Sequence, residues 1–178
     1  KVGSAKFVLD YLIRQDGEVV VHAQSALCPF DFETDSVRRL TRLEQAGRLA
    51  VHQHQERLHK LDAPALTGRG VPFELYARWG DLDAYGHVNN VRTLDFIQEA
   101  RIRMSTDLDP TMARAGMSQW HAPTDQPERR WLNVRQDIEY VNQMAWRLEP
   151  YTVLTAIAKV GTTSVTFVAE IVDPLAHN

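Results

Sequence analysis

The sequence predicts an α+β fold, on three observations. Several segments alternate apolar and polar residues with period two, as half-buried strands do. One stretch, residues 91–104, instead spaces its apolar residues three and four apart, as a helix does. Glycine, proline, asparagine and aspartate cluster between these patterns, where a chain must turn.

Taken in order, Phe7, Leu9, Tyr11 and Ile13 fall on one side of a strand over residues 6–14. Gln15-Asp16-Gly17 is a hairpin signal, and Glu18 to Phe32 continues as a long second strand. Asp35 or Ser36 is placed to cap a short helix over 37–49, with Gly47 near its end. Residues 50–70 turn polar and mixed, with Pro64, Gly68 and Gly70, and read as a connector. A strand is expected over 73–79, the helix over 91–104, and an irregular loop over 105–130 with Pro110, Gly116, Pro123 and Pro127. Three strands then follow at 133–142, 151–161 and 164–172. Val91, Leu94, Ile97, Ala100 and Met104 are expected to form the buried stripe of the helix.

The chemistry concentrates in RWGDLDAYGHVNNVRTLDFIQEAR, residues 78–101. Asp81 and Asp83 sit one residue apart, the Gly86-His87 turn follows, and Asn89 and Asn90 precede the helix. This order sets a carboxylate beside a helix N-terminus, whose unpaired N–H groups favour developing negative charge. A carboxylate next to an oxyanion-stabilising helix end suits acyl transfer.

The stretch resembles the signature of the hotdog-fold thioesterases: the 4-hydroxybenzoyl-CoA thioesterase family and, more distantly, the plant acyl-ACP thioesterases. That pattern is Arg-aromatic, then Asp-x-Asp-x-x-Gly-His-Val-Asn-Asn, then a helix ending in Glu-Ala-Arg. Arg78, Trp79, Asp81, Asp83, Gly86, His87, Val88, Asn89, Asn90, Glu99, Ala100 and Arg101 all match. Thr93 stands where the family helix often carries an aromatic. The resemblance implies a sheet wrapped around one long helix and hydrolysis of acyl-CoA or acyl-ACP thioesters, with no cofactor and no metal.

It also implies roles. Asp83 occupies the position of the acid that attacks the thioester carbonyl or activates water, which requires an ionised carboxylate within reach of the carbonyl carbon. The backbone N–H groups around Asn90 and Val91 would hold the thioester oxygen, with one of Asn89 and Asn90 capping the helix. His87 orients the substrate or satisfies its own turn beside Gly86. Asp81 is read as structural, accepting backbone hydrogen bonds or pairing with Arg78. Glu99 is a second carboxylate, since in another hotdog subfamily an acid on the central helix is the base; its plainer reading is an ion pair with Arg103 four residues on. Lys159 and Thr162, at the turn between the last two strands, are placed to meet the phosphates or pantetheine of coenzyme A, and a plain β-turn explains the same residues. His52, His54 and His59 lie in a polar connector without the ligands to complete a tetrahedral site, and read as a solvated segment.

An internal echo bears on domain organisation. KVGSAKFVLDYLI aligns without gaps with KVGTTSVTFVAEI at residues 159–171. A strand in this register is expected in each hotdog copy. Residues 1–49 are therefore read as the C-terminal strands of a first copy, 50–70 as a linker, and 71–178 as the N-terminal and central part of a second. The ends of this tandem double hotdog would lie outside the given chain. The alternative is a rearranged single hotdog that takes residues 18–32 as its closing strand. Either way an exposed strand edge needs cover, from an intrachain pair of copies or a homo-oligomer.

Composition excludes other classes. A net charge of −3 gives no electrostatic reason to expect nucleic acid. No apolar run approaches the ~18 residues of a membrane span. Asp10 and Arg14 interrupt the first apolar stretch, so it does not read as a signal peptide. Cys28 is the one cysteine, which excludes an internal disulfide, and a reducing cytoplasmic location is the simplest expectation.

Overall fold

The computed structural model describes residues 5–34, 36–51, 58–61, 63, 65–66, 68–108 and 132–176. The chain divides into two compact units, Lys1–Lys60 and Leu61–Asn178.

In the first unit, β1 (Phe7–Gln15) pairs antiparallel with β2 (Glu18–Leu27). The turn between them takes left-handed backbone at Asp16 (φ 51°) and Gly17 (φ 86°), the geometry a tight two-residue hairpin needs. Across the ladder, Asp10 Oδ1 accepts from Gln24 Nε2 at 2.8 Å and lies 2.9 Å from His22 Nε2. The second strand ends earlier than expected, at Leu27. Pro29 has no N–H to give a ladder, and the chain resumes as a short pair, β3 (Phe30–Asp31) with β4 (Ser36–Val37). The helix starts later than expected, too. Asp35 lies outside the described residues and Ser36 is in β4, so α1 (Arg42–Ala50) is capped by Thr41. Thr41 Oγ1 accepts from Glu44 N–H while the Glu44 carboxylate accepts from Thr41 N–H, a capping box.

The second unit is built on an antiparallel sheet in the order β5 (Val71–Leu75), β6 (Tyr151–Val160), β7 (Val165–Val172). Against it packs α2 (Asn90–Leu108). Tyr151, Val153 and Thr155 alternate onto the buried face of β6, as period-two geometry requires. With Leu75, Ala77, Val88, Phe96 and Ala100 they enclose the core, to which Phe73, Leu82, Met144, Ala169 and Ile171 add half-buried surface.

Four expectations change here. The helical stripe that is buried is Phe96, Ala100 and Met104, at four-residue spacing, while Val91 is 66% exposed and Leu94 and Ile97 are half-buried. Ala100 and Met104 are thus buried as expected, and Phe96 takes the place of Val91, sharing a core with Leu75, Ala100 and Val153. The strand expected over 73–79 stops at Leu75, because residues 79–81 wind into a 3₁₀ turn. Residues 133–142 form no ladder among the described residues, and their side chains are exposed. Of the long irregular loop, 105–108 continue α2 and 109–131 lie outside the described residues. His52 and His54 also lie outside them.

The aligned segments at residues 1–13 and 159–171 each contain the start of a strand. The first four residues of the earlier segment are outside the described set, but β1 begins at Phe7 and β7 at Val165, which are equivalent positions in the alignment.

Candidate active site

The site grows from a lock at Arg78 and Asp81. Asp81 is 1% exposed, and its carboxylate accepts from the Arg78 backbone N–H at 2.8 Å and from the Arg78 guanidinium at 2.9 and 3.1 Å. Arg92 stands 3.8 Å away as a second cation. The hydrogen bonds from Arg78 hold this carboxyl below the usual range against the opposing effect of burial. Asp81 is thus the structural acid of the pair.

Beyond Asp81 the chain makes a small hairpin. Leu82 bridges Val88, Asp83 N–H donates to the His87 carbonyl at 2.9 Å, and Gly86 N–H donates to the Asp83 carbonyl at 3.1 Å. Gly86 has φ +80°, a conformation glycine adopts without penalty. His87 bridges Ala145 and Val88 N–H donates to Met144, so the hairpin is fixed on both sides. Asp83 sits half-buried at its shoulder. Its Oδ1 accepts from Tyr85 N–H at 2.9 Å, a turn-forming bond. Its Oδ2 has no hydrogen-bond partner among the described residues.

The hairpin delivers the chain into α2. Asn89 is the cap: its Oδ1 accepts from Val91 N–H at 2.9 Å and its carbonyl from Arg92 N–H at 2.8 Å. Its own N–H donates to the Asp81 carbonyl at 2.8 Å, which ties the helix start to the lock. The Val91 N–H is therefore occupied, and the Asn90 N–H is the donor without an acceptor among the described residues. One residue at the site escaped the sequence reading. Tyr140 donates its phenol O–H to the Asn90 carbonyl at 2.9 Å, and partial desolvation raises the phenol above its ordinary range. Nothing in IEYVN beyond strand-like alternation marks it.

Asp83, Gly86, His87, Asn89, Asn90 and Val91 are thus brought together in one loop and helix start. The other expected residues are elsewhere in the unit. Glu99 is exposed nine residues along α2, roughly 14 Å up the axis, and it does not pair with Arg103, whose guanidinium takes Asp107 at 3.0 Å instead. Glu99 lines an open cleft of about 500 Å³ between β5 and α2, with Phe73, Tyr76, Arg78 and Phe96. Lys159 and Thr162 lie at the far end of the β6–β7 hairpin. They are eight or more residues from Tyr151, about 26 Å along the strand, whereas Tyr151 lies beside the loop through its bonds to Ala145. Among the described residues no group of His, Cys, Asp and Glu side chains is placed to hold a metal. No described helix is long and apolar enough to cross a membrane.

A paired-acid hairpin feeding an Asn-capped helix that packs on an antiparallel sheet is the arrangement expected of a hotdog domain. No curated protein and no solved structure matches the chain. Residues 77–178 match the family model described as the thioesterase-like superfamily. That match begins at the lock, runs through α2, β6 and β7, and takes in more than half of the chain; the protein belongs to the thioesterase-like superfamily, as a hotdog-fold member of the 4-hydroxybenzoyl-CoA thioesterase type.

Proposed function

We propose that this protein hydrolyses acyl thioesters of coenzyme A or acyl carrier protein to the free acid and the thiol, with Asp83 as the catalytic carboxylate. The observation that carries this reading is that one short loop holds an uncommitted Asp83 Oδ2 and ends, at the start of α2, on the uncommitted Asn90 N–H. A thioester carbonyl oxygen at that N–H gains the positive end of the helix as negative charge develops on it. His87 orients the substrate from the hairpin. Asp83 then either attacks the carbonyl carbon, expelling thiolate and leaving a mixed anhydride that water opens, or takes the proton of an attacking water. Single turnover in ¹⁸O water separates the two, because only the anhydride route can leave label in the Asp83 side chain.

On the same reading, the first unit is the closing part of a preceding hotdog copy, in line with the equivalent starts of β1 and β7. Lys159 and Thr162 then serve a thioester held by a neighbouring copy rather than by their own Asp83 loop. A single cysteine fits a reducing, cytoplasmic setting.

The test is release of free thiol from a panel of acyl-CoA and acyl-carrier-protein thioesters. Asp83→Asn should slow turnover of the best substrate by at least ~100-fold, with an unchanged circular-dichroism spectrum. Near wild-type turnover in that variant would overturn the assignment. Acyl-thioester binding without turnover by the wild type would make the protein an acyl-binding module instead.

A further inference from the structure

Trp79 and Trp146 stand edge to face, ring centroids 5.6 Å apart and planes at 85°. Trp79 is 73% exposed and Trp146 41% exposed. Large aromatic rings are ordinarily the side chains a fold buries most eagerly. Here both are held out by rigid backbone. Trp79 opens the 3₁₀ turn that Asp81 locks, and its carbonyl accepts from Leu82 N–H at 3.3 Å. Trp146 follows Ala145, whose N–H and carbonyl are both bonded by the Tyr151 hydroxyl, at 3.1 and 2.9 Å. The next residue is pinned as well, since the Arg147 guanidinium lies 3.9 Å over the Tyr151 ring and pairs with Asp173.

The backbone that carries this pair is the backbone that builds the Asp83 hairpin. Leu82, bonded to Trp79, is the residue before Asp83, and Ala145, before Trp146, bridges His87. The two indoles therefore form a preorganised right-angled corner beside the loop that holds the candidate carboxylate. Two planes at a right angle offer one face for stacking and one edge for lateral contact. Flat amide groups linked by short apolar spacers fit such a corner, and a rigid corner loses little entropy on binding them.

We propose that the Trp79–Trp146 corner is the landing site for the pantetheine arm of the thioester, the chain of amides and methylene groups shared by coenzyme A and acyl carrier protein. This rests on the thioesterase reading of the Asp83 loop and adds to it the part of the substrate recognised outside the reacting bond. An amide plane of the arm lies against the one offered indole face, and its geminal methyl groups fill the angle beside the other ring's edge. No charged group is required, which suits an arm that is neutral between its sulfur and its phosphate.

The experiment uses the whole chain and two readouts. In the first, ¹⁵N-labelled protein is titrated with pantetheine, and the four indole N–H signals are assigned with single Trp→Phe variants. The Trp79 and Trp146 signals should shift and saturate together. Absence of any shift at millimolar pantetheine overturns the proposal, whether or not the protein hydrolyses thioesters. In the second, kcat/KM is compared for one acyl group carried on pantetheine, on coenzyme A, on acyl carrier protein and on N-acetylcysteamine, which lacks most of the arm. Trp79→Ala and Trp146→Ala should each lower the ratio of pantetheine to N-acetylcysteamine thioester by at least tenfold, with Trp→Phe restoring most of it. The coenzyme A and carrier-protein arms should fall in parallel, and a fall in one alone would place the recognition in that carrier's own surface and overturn the assignment to the arm. An unchanged ratio, together with a change in oligomeric state, would make the corner a protein contact and equally overturn the proposal. If the wild type turns over no thioester while pantetheine still shifts both indoles, the catalytic reading fails and the arm site stands.

Discussion

The Asn89 backbone N–H donates to the Asp81 carbonyl at 2.8 Å, so the cap of the long helix and the buried acid of the motif are one mechanical unit. Whatever moves Asp81 moves the first turn of α2, and with it the free N–H of Asn90. The two acids of the motif divide the labour along this line. Asp81 is 1% exposed and fully engaged, whereas Asp83 keeps one carboxylate oxygen uncommitted among the described residues.

Asp81→Ala should destabilise the second unit by about 2 kcal/mol, because it strands the Arg78 N–H and removes a charge-assisted bond. A lower urea midpoint at unchanged slope would register it. The pH dependence has a definite sign. The folded carboxyl titrates below its unfolded value near 3.9, so its contribution is complete above that pH. It is lost as acid carries the pH down through the depressed folded value. Wild type should therefore lose stability below about pH 4 more steeply than the variant.

Asn89 separates capping from catalysis. Asn89→Ala removes the oxygen that accepts from Val91 N–H and should cost about 1 kcal/mol. Asn89→Asp keeps that acceptor and adds a favourable charge at the helix start, so its thermal midpoint should match or exceed wild type. Its turnover should nevertheless fall several-fold, since a new anion beside Asp83 opposes charge developing on the substrate oxygen. Unchanged kinetics in Asn89→Asp would count against an oxyanion site at Asn90.

The identity of the buried helical stripe is open to direct measurement. Phe96→Ala should cost about 3–5 kcal/mol, as deletion of a core ring does, while Val91→Ala should stay within about 0.5 kcal/mol. Equal losses in chemical denaturation would restore the stripe expected from spacing alone.

In the first unit, the bond with His22, followed by that with Gln24, lowers the Asp10 carboxyl below its usual range. Its stabilising effect is present above the unfolded value and is lost as pH falls through the folded one. Melting curves of wild type and Asp10→Asn, recorded from pH 7 to 3, should converge at the acid end. Parallel curves would show that the cross-strand cluster contributes nothing to stability.

What could be read in advance was what is encoded locally. Asp16-Gly17 demands its turn, Pro29 and Gly86 constrain their own backbone, and the alternation from Tyr151 to Val172 needs only neighbouring residues to be seen. The motif was legible because its spacing is itself the geometry of hairpin and cap. The Thr41-x-x-Glu44 capping box is equally local, and it outcompetes the caps that Asp35 and Ser36 offer because Thr41 and Glu44 satisfy each other's N–H. Choosing between the Val91 and Phe96 stripes required knowing which residues face the helix, and these come from Leu75 and Val153, distant in the chain. The same holds for Tyr140, whose value lies in a bond to Asn90 fifty residues away. Residues 133–142 show the limit most clearly, since alternation states a readiness to pair and supplies no neighbour.

That segment has a consequence for handling the protein. Leu132, Val134 and Val141 are each at least 80% exposed, with Ile138 and Tyr140 partly so. The run contains no proline or glycine to interrupt pairing. Such a row is what intermolecular β-aggregation recruits. Its solubility therefore depends on the charges interleaved within it, Arg135, Asp137 and Glu139, which act as gatekeepers. Replacing Asp137 or Glu139 with an apolar residue would leave the row with one guard fewer, so the colloidal behaviour of the chain is set by side chains outside its core.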